Sequence, residues 1–267
     1  MLWTGRDKCR SYHRVDAIAS QPTASVKIVE ASVIGARDTN EDRLGHWRTP
    51  QATLMAVADG LGGHVHGEVA AQIALDVMSA SFGAEARDAL PDPASFLERA
   101  CLAGHAAILR ETRKQRYLES PRTVLATCVV QNGQVFWTYV GDCRFYHVRG
   151  GRVLARSRDH TVVQRLVDEG RLREEAVPTH PYRNRLLNCL GGYQTPRIER
   201  VVNARLAHGD IVLLCSDGLW GPLSQDELVE GLVSRPLEQA IPALVAAAEG
   251  SAGDDCDNIS VVAMAWD

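Results

Sequence analysis

The chain has no apolar run long enough to cross a membrane, since none approaches the roughly 18 consecutive apolar residues of a transmembrane helix. Its N-terminus carries Arg6, Lys8, Arg10 and Arg14 but lacks the apolar core segment of a signal peptide. We therefore expect a cytoplasmic protein that does not associate with a membrane.

An excess of basic residues is also missing. Lysine and arginine together number 29 against 33 aspartate and glutamate residues, which gives a formal net charge of −4. Proteins that bind nucleic acid or anionic membranes usually carry a marked basic surplus. The charge balance therefore argues against both kinds of partner.

The cysteines lack the spacing of a disulfide framework or a zinc site. Their number is odd and the sequence contains no C-x-x-C pair. We expect reduced thiols that pack as small apolar side chains, in a reducing compartment. The seven positions are Cys9, Cys101, Cys128, Cys143, Cys189, Cys215 and Cys256.

The bulk composition is that of an ordinary soluble globular protein, with 45% apolar and 23% charged residues over 267 positions. Residues 1–24 mix basic and small polar side chains without periodicity and are expected to form an irregular tail. Residues 25–267 are expected to form a single domain, with a flap over about 160–192.

Strand and helix signals are segregated along the chain. Apolar spacing predicts a helix at 68–82, and the Asp92-Pro93 cap begins another that ends near residue 116. Asn132-Gly133 joins two strand-like runs as a hairpin, and Gly150-Gly151 repeats the pattern. This segregation favours helices layered on antiparallel sheets, an α+β fold.

Two apolar runs end abruptly in Asp-Gly, at Asp59-Gly60 and Asp217-Gly218. Each pattern is typical of a buried strand whose last side chain is a carboxylate and which is followed by a sharp turn. Further acidic clusters border apolar stretches at 40–42, 141–142 and 254–258. Several carboxylates held together call for a cation, and oxygen-only ligands favour Mg²⁺ or Mn²⁺.

Five short segments combine these acidic residues with arginine, glycine and asparagine. They are Arg37-x-x-Asn40-Glu41-Asp42, Asp59-Gly60-Leu61-Gly62-Gly63-His64, Gly141-Asp142-Cys143-Arg144, Ser216-Asp217-Gly218-Leu219-Trp220 and Asp257-Asn258-Ile259-Ser260. In order and separation they resemble the motif series of the metal-dependent protein serine/threonine phosphatases, the PPM or type 2C family. The glycine-rich segment after Asp59 resembles that of the bacterial branch.

The resemblance implies a fold and a reaction. The family fold is a four-layer α/β/β/α sandwich of two mostly antiparallel sheets flanked by helices. Its members hydrolyse phosphoserine and phosphothreonine in proteins by direct attack of a metal-activated hydroxide at a binuclear Mn²⁺ or Mg²⁺ centre. The implied partners are phosphorylated proteins, including a serine/threonine kinase or its targets, and we expect a monomer.

The resemblance also assigns the main metal ligands. Asp59 would bridge both ions, and the carbonyl of Gly60 would bind one of them. Asp217 and Asp257 would hold the other. Bacterial relatives often bind a third ion, for which Asp142 would be a ligand together with Asp217.

Three more residues receive roles in the same way. Glu41 would contact a metal-bound water and Asp42 the metal shell, while Arg37 would hold the substrate phosphate. The planar fork of an arginine suits two phosphate oxygens better than a lysine would.

The chain also departs from the family. Leu61 stands where some members have a histidine that is a proposed general acid, which leaves His64, His66 or a metal-bound water as donors to the leaving alkoxide. We name His64 as the candidate catalytic residue. The strand entry Gly-Thr-Thr of the family appears here as Pro121-Arg122-Thr123.

Three alternatives follow from the same residues. A catalytically silent pseudophosphatase would lack some of the metal ligands, whereas all of them are present here. A metal phosphohydrolase for small phosphate esters would share every motif. The Cys-x5-Arg signature of tyrosine phosphatases matches only Cys143 and Arg149, which lie on a predicted hairpin without a phosphate-binding loop.

A basic stretch, His180-Pro181 and Arg183-Asn184-Arg185, lies in the expected flap. It could steer an acidic phosphopeptide towards the metals, or it could simply be a set of loop charges.

Overall fold

The computed structural model describes residues 11–13, 26–61 and 66–267. Every strand pairing in these residues is antiparallel, as the Asn-Gly and Gly-Gly turns predict. The strands are β1 (Ser11–His13), β2 (Val26–Val33), β3 (Arg43–Arg48), β4 (Ala52–Gly60), β5 (Thr123–Gln131), β6 (Gln134–Val140), β7 (Arg144–Arg149), β8 (Arg152–Arg156), β9 (Val202–Arg205), β10 (Asp210–Cys215) and β11 (Ile259–Trp266).

The α-helices are α1 (Gly67–Glu85), α2 (Pro93–Gln115), α3 (Val162–Asp168), α4 (Asp217–Trp220), α5 (Gln225–Val233) and α6 (Leu237–Ala252). Capping residues begin two of them. Asp92 accepts hydrogen bonds from two amides of the first turn of α2, and Ser224 with Glu227 forms the capping box of α5.

The strands form two sheets. One has the order β1-β2-β11-β10-β7-β8 and the other β3-β4-β5-β6-β9. Helix α1 packs on β4 and β5 and also contacts α2, while α6 packs on β2 and β11 and also contacts α5. The α+β prediction of a four-layer sandwich is confirmed.

Three apolar clusters hold the layers together. The first lies between the six-stranded sheet and α5 and α6, the second between the five-stranded sheet and α1 and α2, and the third between the two sheets. Met55 and Val57 of β4 meet Val212 and Leu214 of β10 in the third cluster. Burial of apolar surface on both faces explains why these strands are continuous apolar runs.

Two differences from the sequence-based expectations concern short elements. Ser11–His13, inside the segment expected to be irregular, form β1 on β2, whose edge would otherwise present unpaired amides and carbonyls. The rest of the expected tail lies outside the described residues. The one-turn helix α4 begins at Asp217, too short for a periodicity signal.

Among the described residues, no helix combines the length and apolar character needed to span a bilayer. Six cysteines lie in this part of the chain, and Cys189 is the one among them that is partly exposed.

Candidate active site

A cleft of about 890 Å³ opens at one end of the two sheets, where β4 and β10 end and β11 begins. It brings together most residues that the sequence predicts as functional, although they are far apart along the chain. Those that line it are Arg37, Glu41, Asp59, Gly60, Asp142, Asp217 and Asp257. We call Asp59, Asp142, Asp217 and Asp257 the carboxylate floor.

Strand ends position the carboxylate floor. Asp59 is the penultimate residue of β4, and its carbonyl accepts a 2.7 Å hydrogen bond from the hydroxyl of Thr123 on the neighbouring strand β5. Asp217 follows the end of β10 and Asp257 precedes the start of β11. Because β10 and β11 are adjacent and antiparallel, the end of β10 lies beside the start of β11, and these two residues lie at the same end of the strands.

The glycine in each Asp-Gly pair is required by close packing. A Cβ atom on Gly60 would lie 2.4 Å from the backbone carbon of Gly67, and one on Gly218 would lie 2.1 Å from the carbonyl oxygen of Asn258. Both distances are far below van der Waals contact. Each glycine therefore lets a neighbouring segment approach the aspartate that precedes it.

Asn258 fixes the loop between β2 and β3. Its side-chain oxygen accepts a 2.8 Å hydrogen bond from the Glu41 amide, and its side-chain nitrogen donates to the carbonyls of Ile34 and Thr39 at 2.9 and 3.0 Å. The carbonyl of Glu41 in turn accepts from the Gly60 amide at 3.2 Å. The loop that carries Glu41 is thereby attached to both β11 and β4.

Asp42 does not line the cleft but is buried beside it, 3% exposed. The Ser216 hydroxyl donates a 2.7 Å hydrogen bond to Asp42 Oδ2 and accepts one from the Ser260 amide at 2.9 Å. Direct contact of Asp42 with the metal shell stays a prediction.

Burial and, after it, repulsion between carboxylates raise the pKa values of Asp217, Asp59 and Asp142. Burial, with the charge of Asp257, raises the pKa of Asp217 to about 6. Burial raises the pKa of Asp59 well above its usual range, and Asp42 adds to that shift. Burial likewise raises the pKa of Asp142, with a further contribution from Asp217. The cluster therefore disfavours its own ionised form and favours a cation that would neutralise it.

Asp42 and Glu41 follow the same pattern. Burial raises the pKa of Asp42 to about 8, against the opposing hydrogen bond from Ser216 and with the support of the Asp217 charge. Burial, followed by the charge of Glu68, raises the pKa of Glu41.

Arg37 lies at the edge of the floor. Its Nη2 donates a 2.7 Å hydrogen bond to Asp257 Oδ2. The Arg37 side chain is 55% exposed, so this ion pair is open to solvent and the guanidinium retains donors that face the cleft. This position is consistent with the predicted role in holding a phosphate.

His160 connects the floor to the opposite side of the cleft. Its Nδ1 accepts hydrogen bonds from the Gly141 amide at 3.1 Å and from Asn188 Nδ2 at 2.8 Å. Its backbone amide donates to the Gly141 carbonyl at 2.9 Å. Because Nδ1 accepts twice, the ring proton is on Nε2, which faces Glu199 Oε2 at 3.3 Å.

The side of the cleft away from the carboxylate floor, which we call the second wall, consists of Arg122 and residues 184–189 and 192–195. Within the basic stretch predicted as part of a flap, Arg185 and Asn184 line the cleft, whereas His180 and Arg183 do not. The other members of this wall are Leu186, Leu187, Asn188, Cys189, Gly192, Tyr193, Gln194 and Thr195.

The candidate general acid His64 lies outside the described residues, so its role stays a prediction. Leu61, which replaces the histidine of some relatives, lines the cleft as an apolar residue. His66 directly precedes α1 and stacks on Tyr117 with ring centroids 4.7 Å apart.

The donor set fits a hard divalent cation. Carboxylate and carbonyl oxygens line the floor, and they are the ligands that Mg²⁺ and Mn²⁺ prefer. Within residues 26–61 and 66–267, no three acidic, histidine or cysteine side chains converge around one point. An ion held here would take much of its coordination from water, as Mg²⁺ commonly does when one or two carboxylates bind it.

Sequence reasoning assigned no role to several residues that shape the cleft. Thr123, Asn258 and Ser216 act as hydrogen-bonding supports, although the motifs that contain them give them no role. Arg122 is visible in the sequence only as a departure from the family's strand entry, and His160 has no local signal. Tertiary contacts bring both residues to the cleft.

Comparison with known proteins identifies similar sequences. The family model described as Protein phosphatase 2C matches residues 31–247. The serine/threonine protein phosphatase PstP of Mycobacterium tuberculosis is 34% identical over 214 residues, which cover 79% of this chain and 40% of PstP. The serine/threonine phosphatase stp of Listeria monocytogenes is 28% identical over 234 residues, covering 86% and 92% of the two chains. The chain thus matches only about two fifths of the mycobacterial protein's length.

Solved structures give the same result. The crystal structure of the M. tuberculosis phosphatase PstP/Ppp has a TM-score of 0.80 at 30% identity and covers 91% of this chain and 99% of that one. The PstP catalytic domain in complex with two manganese ions has a TM-score of 0.77 at 28% identity, with coverage of 91% and 99%.

Proposed function

The chain belongs to the protein phosphatase 2C family, and from this membership we propose that it hydrolyses phosphoserine and phosphothreonine in proteins with the help of Mn²⁺ or Mg²⁺. One observation carries the proposal. Four carboxylates from separate strand ends line a single cleft, with Arg37 at their edge. The PstP catalytic domain, which was solved with two manganese ions, supports the choice of cofactor.

The carboxylate floor would hold the ions. Asp59 with the Gly60 carbonyl, and Asp217 with Asp257, are the residues proposed to bind two of them, and Asp142 a third. Two divalent ions supply Lewis-acid activation of water and charge neutralisation at a phosphate. The raised pKa values of Asp59 and Asp217 support this assignment, because burial and then the neighbouring carboxylates raise them, and a bound cation would offset both effects.

The remaining residues would bind and orient the substrate. Arg37 faces the cleft with a guanidinium whose planar donors match two phosphate oxygens. Its bond to Asp257 fixes the guanidinium relative to the floor, so that a bound phosphate ester is held next to the proposed ions. Glu41 lines the same cleft and could accept a hydrogen bond from a water there.

The proposal also covers the substrates, the compartment and the oligomeric state of the protein. We infer phosphorylated proteins as substrates, including a serine/threonine kinase or its targets, in the cytoplasm, with the chain acting as a monomer. Curated relatives named as serine/threonine phosphatases support the substrate class.

A purified sample tests the proposal directly. We expect Mn²⁺-dependent release of phosphate from phosphothreonine and phosphoserine peptides, and little from phosphotyrosine peptides of the same sequence. Preference for nucleotides or sugar phosphates would instead identify a hydrolase of small esters. Absence of turnover with any of these substrates, in protein that still binds Mn²⁺, would identify a pseudophosphatase.

A further inference from the structure

We infer that Arg122, assisted by Arg185, forms a second anion-binding subsite in the cleft, which takes a carboxylate or a second phosphate close to the scissile phosphate of the same substrate. This inference rests on the proposed phosphatase function and names the class of phosphoprotein segment that the cleft prefers: acidic or multiply phosphorylated. No part of the known motif series supplies it, since Arg122 replaces a threonine of the usual strand entry.

The cleft has room for more than one phosphorylated side chain. Pockets of roughly 300–1,000 Å³ accommodate drug-sized ligands, and this cleft, at about 890 Å³, lies near the upper end of that range. The floor and Arg37 account for one phosphate. The space along the second wall is then available to the residues that flank the phosphorylated one.

Arg122 is fixed relative to the floor by its backbone. Its carbonyl accepts a 3.0 Å hydrogen bond from the Leu61 amide, and Leu61 follows the Asp59-Gly60 pair directly. The next residue, Thr123, donates to the Asp59 carbonyl. Arg37 and Arg122 therefore lie beside different sheets, Arg37 near β11 and Arg122 directly before β5.

The Arg122 side chain extends along the second wall. Its guanidinium carbon lies 5.9 Å from the ring centroid of Tyr193, which is itself 76% exposed. The guanidinium also lies close enough to Cys189 to lower the pKa of that thiol, against the larger raising effect of burial. Tyr193 and Cys189 both line the cleft, so the positive charge of Arg122 acts inside it.

Arg185 adds a second positive charge to this wall. Its guanidinium carbon lies 5.7 Å from the ring centroid of Tyr182. No acidic side chain of the described residues lies within ion-pair distance of Arg185. Arg122 and Arg185 thus place two positive charges on this wall, and these charges attract a second anion in the cleft.

A set of matched peptides tests the subsite. The reference is a phosphothreonine peptide with alanine at the three positions on either side. In the test peptides one of these alanines in turn is replaced by glutamate, and in a second set by phosphoserine. The measured quantity is kcat/KM for release of phosphate from the threonine, expressed as a ratio to the reference peptide, so that general changes in catalysis cancel.

We expect the wild-type protein to favour the best acidic peptide by about tenfold, the size of one charge-assisted hydrogen bond. Arg122→Gln should reduce this ratio to within about twofold of one, and Arg122→Lys, which keeps the charge but loses the planar fork, should give an intermediate ratio. The glutamate and phosphoserine sets separate a carboxylate preference from a phosphate preference.

Arg183→Gln is the matched control, because Arg183 is exposed on the same segment but does not line the cleft. It should leave the ratio unchanged. A wild-type ratio of one at every position would overturn the inference, as would an undiminished preference in Arg122→Gln. An equal loss in Arg183→Gln would also overturn it, by showing a diffuse field instead of a subsite.

Failure of the proposed function has a different signature. If the wild-type protein releases no phosphate from any peptide, that function fails, and calorimetric binding of the same peptides decides the inference instead. Tighter binding of the acidic peptide by the wild type than by Arg122→Gln would support the subsite. Equal binding of acidic and reference peptides would refute it.

Discussion

Arg37 Nη2 lies 2.7 Å from Asp257 Oδ2, although 220 residues separate the two along the chain. The bond joins the proposed phosphate-binding arginine to a proposed metal ligand at the edge of one cleft. Arg37 lies in the loop after β2, and Asp257 precedes β11, which pairs with β2. The pairing of β2 with β11 thus brings the two residues together.

Replacement of Arg37 by alanine should raise KM for a phosphopeptide by about tenfold to a hundredfold. The expected loss of substrate affinity corresponds to one charge-assisted contact with phosphate. Arg37→Lys should recover part of it, because the charge remains while the fork is lost. Steady-state kinetics with a phosphothreonine peptide measures the change, and an unaltered KM in Arg37→Ala would argue against a role in phosphate binding.

Asp59→Asn should abolish most metal-dependent turnover, by about a hundredfold or more. The same change should stabilise the metal-free protein, because it removes a carboxylate whose raised pKa reports unfavourable ionisation. Phosphate release and thermal unfolding in EDTA measure the two effects. Asp254→Asn, at an exposed acidic residue near Asp257, is the control and should change neither quantity. Near-normal turnover in Asp59→Asn would contradict the assignment.

The stability of the metal-free protein should fall as the pH rises from about 4 towards 8. Asp217 and Asp42 have folded-state pKa values of about 6 and 8, above the ordinary value of 3.8. The folded state therefore binds more protons than the unfolded state in this window, and deprotonation destabilises it. Urea unfolding at several pH values measures the slope, and saturating Mg²⁺ should flatten it. If the free energy of unfolding of the metal-free protein does not change with pH, the titration of Asp217 and Asp42 is not coupled to folding.

His160→Phe should raise KM for a phosphopeptide and weaken Mn²⁺ binding together. The ring nitrogen that accepts from Gly141 and Asn188 would be lost, which releases the second wall from the turn before Asp142. His160→Asn can place an acceptor near the Nδ1 position and should restore both quantities in part. Calorimetric titration with Mn²⁺ and peptide kinetics measure them. A purely structural role would lower the melting temperature of both variants and leave KM unchanged.

Asp210→Asn should destabilise the fold by about 1.5 kcal/mol, since it weakens a half-buried ion pair with Arg149. Asp210 is fully buried at the start of β10 and accepts hydrogen bonds from Arg149 and His147. Burial raises the pKa of Asp210, but hydrogen bonds, chiefly from Arg149, lower it by more, so that it falls to about 2. The stabilisation is thus present above pH 4 and is lost as the pH falls towards 2. Turnover at 25 °C should be retained, because the cleft lies at the other end of β10.

Local signals in the sequence predicted most of the fold. Asn132 and Gly133 have φ values of 53° and 67°, the left-handed conformation that a two-residue hairpin turn needs. The Ser-x-x-Glu pattern of Ser224 and Glu227 forms the capping box that begins α5. Each of these features depends on a few neighbouring residues, so the sequence alone is sufficient to identify it.

The site divides into a predictable and an unpredictable part. The floor was predicted because each of its aspartates belongs to a recognisable motif. Burial of Asp42 behind Ser216, the link through His160 and the entry of Arg122 into the cleft all depend on contacts between distant segments. No local pattern encodes such contacts, since they exist only once the two sheets have packed.

The division of the floor between two sheets has a consequence for folding. Asp59 belongs to the five-stranded sheet, Asp217 and Asp257 flank strands of the six-stranded sheet, and Asp142 lies on the connection between them. A folding intermediate with only one sheet assembled would possess an incomplete set of ligands and no enclosed cleft. Recovery of catalysis during renaturation should therefore coincide with docking of the sheets. Divalent cations should stabilise the contact between the two halves of the sandwich at a late step of folding.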